Sequence, residues 1–294
     1  MKGVILAGGY GTRFLPVTKT IPKEMLPLVN KPSIAFIMEE FEAAGITEVL
    51  VISSRRKRVL EDYFDREIEL ESIFSREGKH EQLTQIAPER MQVYFTRQKE
   101  MKGTGHALMQ AEAFVGGDPF IVAYPDDLHF GTPPLAAQLV ESFHATGKSV
   151  MAGLDNPPHL ERYGILSLAD DQLHVTDIVE KPAPGTEPSS IASIGRYLYT
   201  PEIFGFLQEG WAKHLAESPD AEYYHVYALK QLMDRRRVVQ HTIQGERLDT
   251  GAPAGLLQAY LKVAARDPEL AAVIREFAAT LDPAVSSPGD HTKR

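Results

Sequence analysis

The chain has 294 residues, 43% of them hydrophobic, a formal net charge of −9 and no cysteine. That length carries a large α/β domain with its own core, and the missing cysteines exclude disulfides, thiolate metal sites and a cysteine nucleophile while fitting a reducing cytoplasm. The acidic balance argues against a nucleic-acid backbone as partner, but a few local cations suffice to hold one phosphate chain.

The first element is a short apolar run, Val4-Ile5-Leu6, of the kind that makes a buried strand. The run is too short for a signal peptide, and no apolar stretch approaches a membrane span. It leads straight into Gly8-Gly9-Tyr10-Gly11-Thr12-Arg13. Glycines let backbone N–H groups turn toward a ligand and approach it closely, and a phosphate chain suits such a nest. Arg13 and Lys23, the latter within Pro22-Lys23-Glu24-Met25-Leu26-Pro27, add two cations, which favours a polyphosphate over a neutral ligand. Phe14 stands where a dinucleotide fingerprint needs its third glycine, and Gly11-Thr12-Arg13 is not the end of a P-loop. A plain strand-to-helix turn with solvated cations is the competing reading of the glycines alone.

Strand-like runs at 4–6, 49–52, 93–95 and 120–123 alternate with helical patterns, which predicts a mostly parallel, Rossmann-like sheet with helices on both faces. Ile34, Ile37, Met38 and Phe41 make one apolar helical stripe, closed by Gly45. Arg55, Arg56, Lys57 and Arg58 read as a solvated helix start. Residues 62–85 read as an inserted helical excursion. The Gln98 amide carries donors and acceptors, so it can read a pyrimidine edge or simply sit at the surface; Gly103-Thr104-Gly105 precedes a helix and would leave N–H groups free. His106 reads as a packing residue. Phe120 to Ala123 is a buried strand ending in Tyr124-Pro125-Asp126-Asp127. Ligands of open α/β sheets sit beyond such strand ends, and an acid there can hold a hard cation such as Mg²⁺ or merely form a turn.

The second half changes character. After a helix past Pro134 and a strand near 150–154, residues 163–166 and 175–179 read as antiparallel strands turning at Asp170-Asp171. Glu180 can accept from sugar hydroxyls and Lys181 can neutralise a sugar phosphate, the competing reading being an exposed ion pair. A strand at 191–199, a helix opening at Pro201, a last strand at 238–243, Leu248-Asp249-Thr250-Gly251, a helix from 253 to about 265 and another after Pro268 complete the chain.

The glycine loop with its arginine, and Pro22-Lys23-Glu24-Met25-Leu26-Pro27 in particular, resemble the sugar-1-phosphate nucleotidylyltransferases, and among them the bacterial UTP–glucose-1-phosphate uridylyltransferases. The resemblance runs to about residue 281. It implies a nucleotidyltransferase fold in one domain over 1–281, with a nucleotide-binding part at about 1–150, a smaller antiparallel sugar-binding part at about 151–252 and closing helices at about 253–281; the polar stretch beyond it reads as a disordered tail at 282–294. It implies that Gly8, Gly9, Gly11, Thr12, Arg13, Glu24, Gln98 and Gly103 hold the nucleotide. It assigns Arg13, Lys23 and Lys181 to catalysis, and Gly164, Glu180 and Lys181 to the sugar phosphate. Asp126 and Asp249 become Mg²⁺ ligands, with Asp127 a solvated neighbour. The substrates implied are UTP and a sugar 1-phosphate, with glucose 1-phosphate giving UDP-glucose, in a cytoplasmic dimer or tetramer. A thymidylyltransferase, a uridylyltransferase for another sugar, and a non-catalytic nucleotide-sugar-binding regulator are the alternatives. Two places depart from the pattern. Gly8 stands where many uridylyltransferases have alanine. Ala221-Glu222-Tyr223-Tyr224-His225-Val226-Tyr227 replaces Gly-Glu-x-Gln-Leu-Thr-Asp, and its rings are expected to reshape the sugar pocket or a subunit contact.

Overall fold

The computed structural model describes residues 1–281, so the tail expected at 282–294 lies outside the described residues. Nine strands form one sheet. Its nucleotide half is parallel: Lys2–Leu6 lies between Glu48–Ser53 and Phe120–Ala123, and Gln92–Arg97 extends it beyond Glu48–Ser53. The long strand Ile191–Tyr199 then joins antiparallel to Phe120–Ala123. It also pairs with Ser149–Asp155 and, at Ala192, with Gly164–Leu168. Val175–Glu180 pairs with Gly164–Leu168, and Val238–Thr242 runs parallel to Ser149–Asp155.

Strand alternation divides the core between the two faces of the sheet. Val4 and Leu6 face a cluster that includes Leu108, Phe204, Leu207 and Leu232, from the helices Thr104–Met109, Ile203–Glu217 and Val226–Asp234. Ile5 and Ala7 face the other cluster, which holds the fully buried stripe Ile34, Ile37, Met38 and Phe41 of the helix Ser33–Ala43. Leu135–Thr146 and Pro253–Ala264 pack on that same face. Among the described residues no helix is long and apolar enough to cross a membrane.

Three local expectations are corrected. Helix Ile203–Glu217 starts two residues after Pro201, because Ile203 and Phe204 first close a turn onto the carbonyls of Thr200 and Pro201. Val238–Thr242 is not the last strand, since Glu246–Asp249 follows and pairs antiparallel with Asp127–Phe130. That short pair places Asp249 opposite Asp127. The basic run at 55–58 is not simply solvated: Arg55, Arg56 and Arg58 are exposed, but Lys57 is buried.

A buried ion pair ties the two halves together. Strand Ile191–Tyr199 shifts register between Ser193 and Tyr197, and in that irregular stretch Arg196 turns inward. Its guanidinium donates to both Glu40 oxygens at 2.9 and 3.0 Å and to the Asp127 carbonyl at 3.1 Å. Glu40 also accepts from the Ala136 N–H at 3.0 Å. Removing one partner of such a pair leaves a buried charge without compensation. Glu40→Ala is therefore expected to cost about 3 kcal/mol, read as a lower urea midpoint at unchanged slope.

Candidate active site

Strand Lys2–Leu6 ends in the glycine loop. Gly11 is left-handed at φ 67°, and its carbonyl accepts from the Thr18 hydroxyl at 2.8 Å and from the Phe14 N–H at 3.0 Å. That turn leaves the N–H groups of Gly9, Tyr10, Gly11 and Thr12 without hydrogen bonds among the described residues. Four such groups in sequence form an anion cradle. Gly8 is buried behind them, and a Cβ there would lie 3.0 Å from Gln98 Oε1 and 3.2 Å from Met101 Cε. The glycine in place of alanine thus makes room for the Gln98 amide.

The loop reaches across the sheet to Asp249-Thr250-Gly251. The Arg13 guanidinium donates to the Gly251 carbonyl at 3.3 Å. A Cβ on Gly251 would lie 2.8 Å from Asp126 Oδ2 and 3.0 Å from Asp249 Oδ1, so the two carboxylates flank it. The strand pairing continues past Asp249, with the Thr250 N–H and hydroxyl both donating to the Asp126 carbonyl, at 2.7 and 3.1 Å. Lys23 closes the group from the other side, its ammonium 2.5 Å from Asp126 Oδ2. Burial pushes the Asp126 carboxyl up, but the Lys23 charge and hydrogen bond outweigh it and hold the group below the usual carboxylate range.

Arg13 and Lys23, Asp126 and Asp249 are therefore brought together from three distant stretches of chain. Glu24 is placed differently. It is buried, and both of its oxygens accept from Lys57 Nζ, at 2.7 and 2.8 Å. Burial lowers the Lys57 pKa, and Glu24 partly restores it. Gln98 is also buried; its Nε2 donates to the Gly103 carbonyl at 3.0 Å and faces His106 Nδ1 at 3.1 Å. The free edge of its amide is thus the oxygen beside Gly8. Gly103, at φ 90°, lies against the Tyr223 backbone, whose carbonyl would be 2.5 Å from a Cβ. The Gly105 N–H is not free, because it donates to that same carbonyl at 2.9 Å.

A cleft of about 240 Å³ opens on the other side of the Asp126-Asp127 turn, lined by Tyr163, Gly164, Glu180, His225 and Arg247 among others. Gly164 pairs with Glu180 across the strands, and a Cβ there would meet Glu180 Oε1 at 2.8 Å. Lys181 follows in an exposed, left-handed conformation at φ 47°. Asp127 is not solvated: its oxygens accept from Arg247 at 2.8 and 3.0 Å and from the Gly195 N–H at 2.9 Å. The sequence reading passed over Arg247 altogether. The available signal was its alternation with Asp249 along a strand, which puts both on one face.

The substituted tyrosines do not line this cleft. The Tyr223 hydroxyl donates to the Leu207 carbonyl at 2.9 Å, Tyr227 to Glu209 at 2.6 Å and Tyr224 to Glu222 at 2.6 Å. Tyr223 and Tyr227 pack on helix Ile203–Glu217, so the expected reshaping of the pocket by these rings is corrected.

Residues 2–266 match the model of the nucleotidyl transferase family. The chain belongs to that family. It is 36% identical over 288 residues to the UTP–glucose-1-phosphate uridylyltransferase of Staphylococcus epidermidis, covering 96% of this chain and 98% of that one. It is similar to the solved UTP-bound UDP-glucose pyrophosphorylase of Acinetobacter baumannii, with a TM-score of 0.83 at 30% identity, covering 96% and 99% of the two chains. A UDP-glucose pyrophosphorylase complexed with UDP-glucose gives a TM-score of 0.77 at 34% identity, covering 90% and 99%. As a nucleotidyltransferase the chain is an enzyme, and its mixed sheet is that of its solved relatives.

The Lys57–Glu24 pair adjoins Lys23, which directly precedes Glu24 in the chain. Lys57→Met strands a buried carboxylate and is expected to cost about 3 kcal/mol. Thermal melting of the purified variant checks this, and an unchanged midpoint would refute it.

Proposed function

We propose that this chain joins UTP and glucose 1-phosphate to give UDP-glucose and pyrophosphate. A phosphate oxygen of the sugar 1-phosphate attacks the α-phosphorus of UTP in line. The bond to the β-phosphate breaks, and the terminal diphosphate leaves. The attacking phosphate is already nucleophilic, so the chain's task is to align two repelling anions and neutralise their charge. The observation that carries the reading is the convergence of Arg13, Asp126 and Asp249 on Gly251, with Lys23 on Asp126, between an open N–H cradle and a polar cleft.

In this reading Gly8, Gly9, Gly11 and Thr12 cradle the triphosphate, and Arg13 and Lys23 stabilise the departing pyrophosphate. The Gln98 oxygen beside Gly8 meets the uracil, with Gly103 fixing the amide from behind. Glu24 shapes the loop under the nucleotide through Lys57. Glu180, with Gly164 opposite, accepts from sugar hydroxyls, and Lys181 holds the sugar phosphate. Residues 1–150 bind the nucleotide, 151–252 the sugar, and 253–281 close the domain.

Asp126 and Asp249 fit a hard cation, since both offer oxygen and together they frame a gap that a Cβ on Gly251 would fill. Among the described residues no cluster of three or more metal-binding side chains exists, which suits Mg²⁺, a cation that takes one or two carboxylates and fills its shell with phosphate and water. When bound, it neutralises phosphate charge. Exposed Val273 and Phe277 on the helix Pro268–Ala279 offer apolar surface that a second copy would cover, in keeping with the cytoplasmic dimer or tetramer that the resemblance implies.

Pyrophosphate release with Mg²⁺ tests the reading, comparing UTP with dTTP against a panel of hexose 1-phosphates. Release with UTP and glucose 1-phosphate is expected; preference for dTTP or another sugar overturns the specificity, and no release overturns the reaction. Asp126→Asn and Arg13→Ala are each expected to lower turnover about a hundredfold by removing an electrostatic element, and near-normal turnover in both would sink the site. Gly251→Ala, which forces the two carboxylates apart, is expected to raise the Mg²⁺ needed for half-maximal rate roughly tenfold or more. An unchanged Mg²⁺ titration would show that they do not share a cation.

A further inference from the structure

Most polar groups of the cleft beside Asp127 are already engaged with one another. Asp127 is held by Arg247 and the Gly195 N–H, the Ser193 and Tyr197 hydroxyls lie 3.3 Å apart, and Arg247 also reaches the Tyr163 hydroxyl at 3.3 Å. Ile178, Val226 and Leu229 complete the wall with apolar surface. His225 stands apart from this pattern. It lines the cleft just before helix Val226–Asp234, and the residue is only 8% exposed.

The ring is fixed on two sides. Nδ1 lies 3.1 Å from the Thr104 hydroxyl, and Tyr197 meets the ring edge-on with centroids 5.4 Å apart. Nε2 makes no hydrogen bond among the described residues, yet it is not one of the polar atoms sealed away without a partner. An unpartnered polar atom in so buried a side chain is costly unless a ligand or water answers it. Burial pushes the imidazolium down to about 4, so near neutrality the ring carries one N–H and one lone pair. Whichever of these Thr104 engages, Nε2 presents the other.

The chemistry of the missing partner follows from these groups. A hydroxyl both donates and accepts, so it matches Nε2 in either tautomer. A phosphate matches Nε2 poorly, because a neutral ring brings no charge to it, and the charged groups of the cleft, Asp127 and Glu180 with Arg162 and Arg247, offset one another. We propose that His225 Nε2 hydrogen-bonds a ring hydroxyl of the sugar seated in this cleft and is a specificity-determining residue for the sugar 1-phosphate. The inference rests on the uridylyltransferase reading. The pattern usual in the resembling enzymes has leucine at this place, which has no hydrogen bond to offer, so selection by His225 sets this chain apart from that pattern.

Steady-state kinetics on the full chain separate the roles. His225→Leu is expected to raise the KM for the preferred hexose 1-phosphate about tenfold, with the KM for UTP within about twofold. His225→Gln, whose amide reaches toward the Nε2 position, is expected to restore most of the loss. Should the leucine variant fail to fold, His225→Asn takes its place, since it can keep the Thr104 contact and withdraws from the cleft. A panel of deoxyhexose 1-phosphates identifies the hydroxyl: the wild type discriminates against one analogue, and the truncated variant does not. An unchanged sugar KM, a parallel rise in both KM values, or undiminished discrimination in the variant overturns the inference alone. A wild type that releases no pyrophosphate from any pair overturns the enzyme reading and this inference with it.

Discussion

Gly251 has no side chain, and the arrangement around it depends on that. Asp126 Oδ2 and Asp249 Oδ1 would lie 2.8 and 3.0 Å from a Cβ there, and Arg13 donates to its carbonyl. Asp126, from the middle of the chain, meets Asp249 at this point because the strand Glu246–Asp249 pairs with Asp127–Phe130. The pairing is short, yet the hydrogen bonds from Thr250 to the Asp126 carbonyl extend it by one more step. Position is therefore set by backbone, and the side chains need only be the right length to converge.

The charges around this point are matched before any substrate arrives. Lys23 faces Asp126, Arg247 faces Asp127, Lys57 faces Glu24 and Arg196 faces Glu40. These pairs differ in accessibility. The Lys57–Glu24 and Arg196–Glu40 side chains are almost wholly buried, whereas Lys23 and Asp126 remain 19% and 27% exposed. A buried pair is fixed by the cost of separating it, while a partly exposed pair can exchange partners with an arriving ion. The deep pairs thus serve as anchors, and Lys23–Asp126 is the pair that the proposed reaction would open.

Local signals made much of this legible in the sequence. The apolar runs marked the parallel strands to within two residues at each end, and Ile34, Ile37, Met38 and Phe41 lie on the buried face that their spacing predicted. The resemblance drew attention to Arg13, Lys23, Asp126 and Asp249, which the fold brings together. What stayed hidden was long-range. Nothing near Lys57 in the chain shows that Glu24 lies beneath the same loop, so a basic run looked solvated. Asp127 likewise gives no local sign of Arg247, which is 120 residues away. The tyrosines of 223–227 looked like pocket residues because the pattern marks that place. Tyr223, in the irregular stretch before helix Val226–Asp234, and Tyr227, in its first turn, instead pack on helix Ile203–Glu217, while His225 between them lines the cleft.

The adjacent acids Asp126 and Asp127 show how one stretch of backbone can serve two sites. Asp126 lies in the turn that follows strand Phe120–Ala123, whereas Asp127 opens the strand Asp127–Phe130, so the two side chains leave the backbone in different directions. Asp126 turns toward Lys23 and Gly251, and Asp127 toward Arg247, Gly195 and the cleft. The step between the Lys23–Gly251 side and the cleft is therefore a single residue long. The chain as a whole is acidic, which by itself would repel two phosphorylated substrates. At this junction, however, each acid already has its own cation, so an incoming anion meets local charge that is balanced and an open row of N–H groups at Gly9, Tyr10, Gly11 and Thr12. Local pairing, rather than net charge, decides whether an acidic chain can gather two anions at one point.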